Sequence, residues 1–360
     1  MREDRMADQK PQVNISRPTA GRMRLVCFCA GLAVVQSGLT DSGASLVVAL
    51  TALVSAVATE LLFTYKNSGL EKIKDGSAAA SALVFSLLLP NQIHPVYAGL
   101  GAVFAMAVVK HSFGGLGSNW VNPSLGGWLF IRYAWPASFD KALAGSPFPV
   151  LYESLKEGLS DPQGSPLGIL KISGFGLFPG SASPLDGTVT SFLNNRIFSI
   201  AGVELPAGYI DLLISRTPGI IADRGLLALL LGTIIITAFQ VSRPWVPAVY
   251  LGFFGLLVRI FGALPFGGVL WNGDVLFGFF SGGTMAAAFL LASDPATGAK
   301  SKAGILAAVI LGAFLSWFFR YQGFDAYGAF FAAALINAFT PLIRSFEGWL
   351  LYFQNRRISV

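Results

Sequence analysis

Ten apolar runs decide what this chain can become: about 25–40, 43–65, 77–90, 95–109, 124–136, 225–241, 245–264, 274–292, 303–319 and 326–343. An α-helix needs roughly 20 apolar residues to cross a bilayer, and inside hydrocarbon a helix satisfies every backbone group within its own segment. The chain is 54% hydrophobic and 12% charged, half the charged share of about 25% usual in a soluble domain. The expected fold is therefore an all-α polytopic membrane protein with about ten transmembrane helices. The runs at 77–90 and 124–136 are too short to span alone and predict broken or half-length helices.

The distribution of Lys and Arg sets the expected orientation. With the N-terminus in the cytoplasm, the inner side receives the basic tail 1–24, Lys66, Lys72, Lys74, Lys110, Arg243, Lys300, Lys302, Arg344, Arg356 and Arg357. The short outer loops receive only Arg320. The expected organisation is a cytoplasmic tail at 1–24, a first membrane half at 25–136, an extracytoplasmic loop at 137–224, a second membrane half at 225–343 and a cytoplasmic tail at 344–360. Both termini then face the cytoplasm of a bacterial inner membrane. The net charge of +6 comes largely from the tail and inner loops, so no nucleic-acid partner is expected. The loop 137–224 is long, and loops of this length tend to be functional; short helices are expected near 150–158 and 207–215.

A repeat joins the two membrane halves. Gly76-Ser-Ala-Ala-Ala-Ser-Ala-Leu resembles Gly283-Thr-Met-Ala-Ala-Ala-Phe-Leu, and both run into a proline, Pro90 and Pro295. A second register, Pro95-Val-Tyr against Pro247-Ala-Val-Tyr, competes with it. Halves of five segments must be inverted with respect to each other, and inverted repeats with broken helices place a site near the membrane midplane.

Lys110 to Phe130 carries Gly114, Gly115, Gly117, Gly126, Gly127, Asn119, Asn122 and Pro123. Those residues break helices, and Asn is costly in lipid unless it faces protein or water. They predict a broken helix lining an internal site, with Asp75, Gly114, Gly115, Asn119, Asn122 and Asp294 as its candidate residues. Glu60, Arg259 and Asp274 are further charges at membrane depth, either capping and pairing or forming an ion or proton path. His94 and His111 flank spans. No Ser-His-Asp set, HExxH or Walker loop appears, so no catalytic or metal residues are assigned. Cys27 and Cys29 read as packing residues.

Four motifs in order carry a resemblance: Asp75-Gly-Ser, Phe113-Gly-Gly-Leu-Gly-Ser-Asn-Trp-Val-Asn-Pro-Ser-Leu, Ser281-Gly-Gly-Thr with Ala292-Ser-Asp-Pro-Ala-Thr297, and Asn337-Ala-Phe-Thr-Pro-Leu-Ile343. The chain resembles RnfD, a membrane component of the Rnf electron-transport complex, and, beyond it, the homologous NqrB of the sodium-pumping NADH:quinone reductase. The short N-terminal tail favours the former. The resemblance implies two inverted five-helix halves, similar to urea transporters. It implies an ion-translocating ferredoxin:NAD oxidoreductase that couples electron transfer to Na⁺ or H⁺ movement. Its partners would be iron–sulfur, NADH-binding and second flavin subunits. It also implies an FMN joined through its phosphate to a hydroxyl in the outer loop. The family's attachment pattern resembles Ser-Gly-Ala-Thr-Pro-Leu. Gly180-Ser181-Ala182-Ser183-Pro184-Leu185 puts Ser183 at the acceptor position, while Asp186-Gly-Thr188-Val-Thr190 keeps a threonine after an aspartate. Position favours Ser183 and residue type favours Thr190. Thr188 lies between them, and the third alternative is a noncovalent FMN or riboflavin. Phe175, Phe178, Phe192 and Phe198 would stack on the flavin or anchor the loop. The family's Gly-Glu-Thr-Ser before segment six reads Ala222-Asp223-Arg224-Gly225 here. A channel or transporter of the same fold without a redox role is the competing class.

Overall fold

The computed structural model describes residues 19–65, 75–112, 119, 121–143, 183–202, 205, 208–214, 219–266, 269–294, 297–299, 301–322 and 325–358. Among them the chain is helical, without strands. Helices α1 (Thr19–Thr40), α2 (Ala44–Tyr65), α3 (Ser77–Leu87), α4 (Pro95–Phe104), α5 (Pro123–Ala134) and the short α6 (Pro136–Ala142) form the first part. The connecting segment supplies α7 (Pro184–Arg196) and α8 (Tyr209–Leu213). The second part holds α9 (Ile221–Arg224), α10 (Leu226–Ala238), α11 (Trp245–Phe261), α12 (Val275–Phe280), α13 (Thr284–Ala286), α14 (Lys302–Tyr321) and α15 (Gly328–Ile358). Of these, α1, α2, α14 and the first two-thirds of α15 are long and apolar enough to cross a membrane. α3, α4, α10 and α11 are shorter apolar helices.

The apolar run at 274–292 is broken, as a run containing Ser281-Gly282-Gly283 should be. α12 ends at Phe280, both glycines adopt positive φ, and α13 restarts at Thr284. The first part has a matching helix start at α3. Gly76 precedes α3 with φ 74 and ψ 6, and Gly283 precedes α13 with φ 69 and ψ 13. This left-handed conformation is one that glycine adopts without steric cost. The two π-helical turns fall at non-equivalent places, Ala287–Leu291 directly after α13 and Ala105–His111 after α4. Packing follows the same register, α2 lying on α4 and α11 on α14. The two prolines of the competing register are not equivalent: Pro95 opens α4, whereas Pro247 is the third residue of α11.

The two parts meet along α1 and α10. Gly232 permits the approach, since a Cβ there would stand 2.8 Å from Cys29 Cβ. Cys29 also donates to the Gly232 carbonyl at 3.2 Å. Between the parts, Pro90 and Ile220 form an antiparallel bridge, with Asn91 N donating to Gly219 O at 3.1 Å and Ile221 N to Leu89 O at 2.9 Å. α15 continues through Pro341 to Ile358, so residues 344–358 are helical. Residues such as Arg344, Glu347, Leu350 and Gln354 are good helix formers, and no proline stops them. At the other end, α1 begins at Thr19, so Arg22 and Arg24 are helical.

Candidate functional site

The polar chemistry inside the membrane is organised at the starts of the two interrupted helices. At α3, Lys110 Nζ lies 2.8 Å from both Glu60 Oε1 and Ser77 Oγ. His111 Nε2 meets the other Glu60 oxygen at 2.8 Å and stacks on Phe63. At α13, Arg320 donates to the Gly278 carbonyl at 2.7 Å, to Ser281 Oγ at 3.0 Å and to Thr284 Oγ1. Asp223 Oδ1 accepts from Gly283 N at 2.9 Å and is an electrostatic partner of Arg320. Each restarting helix thus opens on a hydroxyl residue, Ser77 or Thr284, bound by a buried cation from the end of the next long helix. A buried charge is tolerable only when paired and hydrogen-bonded, which accounts for the dense set of partners.

Arg320 corrects an expectation. The charge count places it in an outer loop, but its side chain is completely buried in the last turn of α14. The signal that could have found it is the repeat register, because Arg320 stands in relation to Thr284 as Lys110 stands to Ser77.

Several of the predicted intramembrane residues converge. Asn122 caps α5, accepting from Ser124 N at 2.9 Å, and its Nδ2 donates to Asp294 Oδ2 at 2.9 Å. Asp294 Oδ2 also accepts from Thr297 Oγ1 at 3.1 Å. Asn119, Asn122, Asp294 and Lys110 line a cavity of about 410 Å³. Arg22, Asp294 and Thr297 also border a neighbouring cavity of about 680 Å³ between α10, α11, α13 and α14. Asp75 stands apart from these linings and accepts from Ser77 N at 2.7 Å. Gly114 and Gly115 lie outside the described residues. Gly126 and Gly127 are packing positions: a Cβ on Gly127 would sit 2.8 Å from the Gly101 carbonyl on α4.

The remaining charges at membrane depth and the two histidines have local partners. Asp274 caps α12 through Phe277 N at 2.9 Å, and Arg259 reaches the Gly273 carbonyl at 3.4 Å. His94 caps α4, accepting from Val96 N.

In the connecting segment, Ser183 is the N-cap of α7. Its Oγ accepts from Asp186 N at 3.1 Å and donates to Asp211 Oδ1 at 2.6 Å, while its own N–H donates to Asp211 Oδ2 at 2.9 Å. Thr188 is exposed and donates to the Pro184 carbonyl at 2.8 Å. Thr190 is buried and donates to Asp186 Oδ1 at 3.2 Å. Asp186, fully buried, accepts from Gly208 N at 2.9 Å and Asp211 N at 3.0 Å. The expected helix near 207–215 is α8, whereas the one near 150–158 lies outside the described residues, as do Phe175 and Phe178. Phe192 is exposed on α7. Tyr209 on α8 donates its hydroxyl to Asp274. Burial, reinforced by the Asp274 charge, pushes that phenol well above its usual range.

Helices long and apolar enough to cross a membrane, with paired charges buried among them, define a multi-pass membrane protein. The chain belongs to the NQR2, RnfD, RnfE family, whose model matches residues 6–348. It is 28% identical over 337 residues to the D component of the proton-translocating ferredoxin:NAD(+) oxidoreductase complex of Clostridium ljungdahlii, covering 93% of this chain and 92% of the relative. It is 29% identical to the D component of the ion-translocating oxidoreductase complex of Alcanivorax borkumensis, covering 92% of each. It is 25% identical to the D component of the Na(+)-translocating ferredoxin:NAD(+) oxidoreductase complex of Acetobacterium woodii, covering 95% of this chain and 93% of the relative.

Proposed function

We propose that this chain is the D-type membrane subunit of an ion-translocating ferredoxin:NAD oxidoreductase complex in the bacterial inner membrane. The observation that carries the reading is similarity along more than nine-tenths of both partners to components of that name. In that role it works with iron–sulfur, NADH-binding and second flavin subunits and couples electron transfer to Na⁺ or H⁺ movement. The matched helix starts at Gly76 and Gly283 support two inverted five-helix halves of the urea-transporter kind, and the Lys and Arg distribution favours cytoplasmic termini.

The outer segment carries an FMN esterified through its phosphate, and Ser183 suits it best of the three hydroxyls. The flavin supplies the electron-carrying chemistry that the side chains lack. A phosphate on the N-cap residue of α7 stands at the positive end of the helix, which favours an anion. Thr190 is buried two turns along, against Asp186. Thr188 is exposed, but its oxygen is bonded back to the helix it stands on. The cleft lined by Asn119, Asn122 and Asp294 takes a noncovalent flavin, such as riboflavin, or the coupling ion. Asp294 there favours a cation, and the two asparagines supply amide donors and acceptors.

The test is flavin fluorescence in the denatured band of the full chain co-expressed with a flavin transferase. A fluorescent band that Ser183→Ala abolishes, and that Thr188→Ala and Thr190→Ala leave intact, is expected. A dark band in a native complex that retains flavin removes the covalent claim and leaves the redox role. A complex without flavin transfers the reading to a channel or transporter of this architecture.

A further inference from the structure

We propose that Asp211 is the base that prepares Ser183 for attachment of its flavin. The inference rests on the covalent-flavin reading above and adds to it the group that makes a serine hydroxyl react.

The geometry is that of a serine posed as a nucleophile. The hydroxyl proton points at the Asp211 carboxylate, 2.6 Å away from Oγ. The Asp186 amide holds the oxygen from a second side at 3.1 Å. A hydroxyl oxygen has two lone pairs, and the Asp186 amide takes one. The other is available on a residue that is itself half-exposed. Thr188 and Thr190 lack this arrangement. Thr188 spends its proton on a backbone carbonyl, and Thr190 is shut inside.

Asp211 is itself held in place. Asp186 sits in the first turn of α7, three residues after Ser183, and accepts from Gly208 N and Asp211 N at the start of α8. The Ser183 amide binds the second Asp211 oxygen at 2.9 Å. Tyr209, two residues earlier, fastens α8 to Asp274. The carboxylate therefore faces Ser183 through fixed backbone contacts, and catalytic geometry of this kind depends on such supporting bonds. A serine hydroxyl is a weak nucleophile at neutral pH until an adjacent base takes its proton.

The step needs an activated flavin phosphate. Flavin adenine dinucleotide, held by a flavin transferase, supplies it. Ser183 Oγ attacks the phosphorus on the FMN side, and the Oγ–P bond forms. The bond from that phosphorus to the bridging pyrophosphate oxygen breaks and AMP leaves with the electron pair. Asp211 receives the serine proton, and no electrons are exchanged. The product phosphodiester no longer donates to Asp211.

The experiment measures the initial rate of flavin incorporation into the purified full chain, with saturating transferase and flavin adenine dinucleotide. Rates are normalised to the monodisperse protein. A positioned general base contributes about 10²- to 10⁴-fold, so Asp211→Asn should slow incorporation by at least about 10²-fold, with Ser183→Ala giving none. Asp211→Ala with added acetate or fluoroacetate separates a base from a structural strut. The two anions are close in size and differ in basicity, so faster rescue by acetate supports proton transfer. Equal rescue by both, or an Asp211→Asn rate like that of the parent, overturns the proposal while the covalent reading stands. Flavin on Ser183→Ala overturns the proposal and the choice of Ser183 while covalent attachment stands; none on the parent overturns both.

Discussion

Lys110 and Glu60 permit a quantitative test of the charge clamp at α3. Their side chains are 3% and 5% exposed and 2.8 Å apart. Lys110→Met removes the ammonium from Glu60 and from Ser77 together and leaves the carboxylate with His111 alone. Breaking a buried pair by removing one partner costs about 3–5 kcal/mol, mostly from stranding the other charge. Glu60→Gln removes the carboxylate charge 2.8 Å from Lys110 and should cost a similar amount, moderated by the contacts Lys110 retains. The double variant strands neither charge. It should therefore be less destabilised than the sum of the single variants by about 2–3 kcal/mol, the upper range for directly contacting groups. The assay is a double-mutant cycle from reversible unfolding of the purified chain in mixed micelles, followed by tryptophan fluorescence. Additive single costs would refute the clamp. So would single costs below about 1 kcal/mol, the level of solvent-exposed pairs.

Other positions give sharper contrasts. Gly76→Ala meets only Met23 at an ordinary 3.7 Å and should cost about 1–2 kcal/mol for its left-handed backbone, whereas Gly283→Ala also collides with Phe330 and Ile220 and should fail to accumulate, as membrane expression and melting of both variants will show. Asn122→Ala loses the α5 cap and the bond to Asp294, so a melting loss equivalent to about 1–2 kcal/mol is expected, and Asn122→Asp should recover the cap but repel Asp294. Tyr209→Phe removes a buried donor to a carboxylate, worth about 1.5–3 kcal/mol. Faster hydrogen exchange confined to α8 and the start of α12 would check that effect.

Much of the membrane architecture was legible because hydrophobic length is a local property. The run at 43–65 became α2 at Ala44–Tyr65, and 303–319 became α14 at Lys302–Tyr321. The short run at 77–90 became an eleven-residue helix. The repeat was visible at Gly76 and Gly283 because a left-handed restart requires glycine and the residues after it must be small. Asn122 and Asp294 were singled out as polar residues at membrane depth, but their mutual bond spans 172 residues and no local pattern specifies it. Glu60 and Lys110 are likewise 50 apart. Arg320 was misplaced because the positive-inside rule counts charges near helix ends as exposed. Only tertiary packing reveals that the last turn of α14 lies inside. The extension of α15 to Ile358 was missed for the opposite reason, since a polar sequence ends a hydropathy signal without ending a helix.

The bridge between Pro90 and Ile220 bears on how this protein is made. Residues 89–91 follow a helix too short to span and leave backbone groups that lipid cannot satisfy. Their partners, Gly219 and Ile221, emerge from the ribosome roughly 130 residues later, several seconds or more at ordinary elongation rates. During that interval the α3–α4 connection must be sheltered by the insertion machinery or by water. The first half is therefore not an autonomous folding unit, and its maturation is timed by translation of the second. A synthetic pause after α6 should lengthen the life of an intermediate that is open to membrane proteases. A pause after α10 should not.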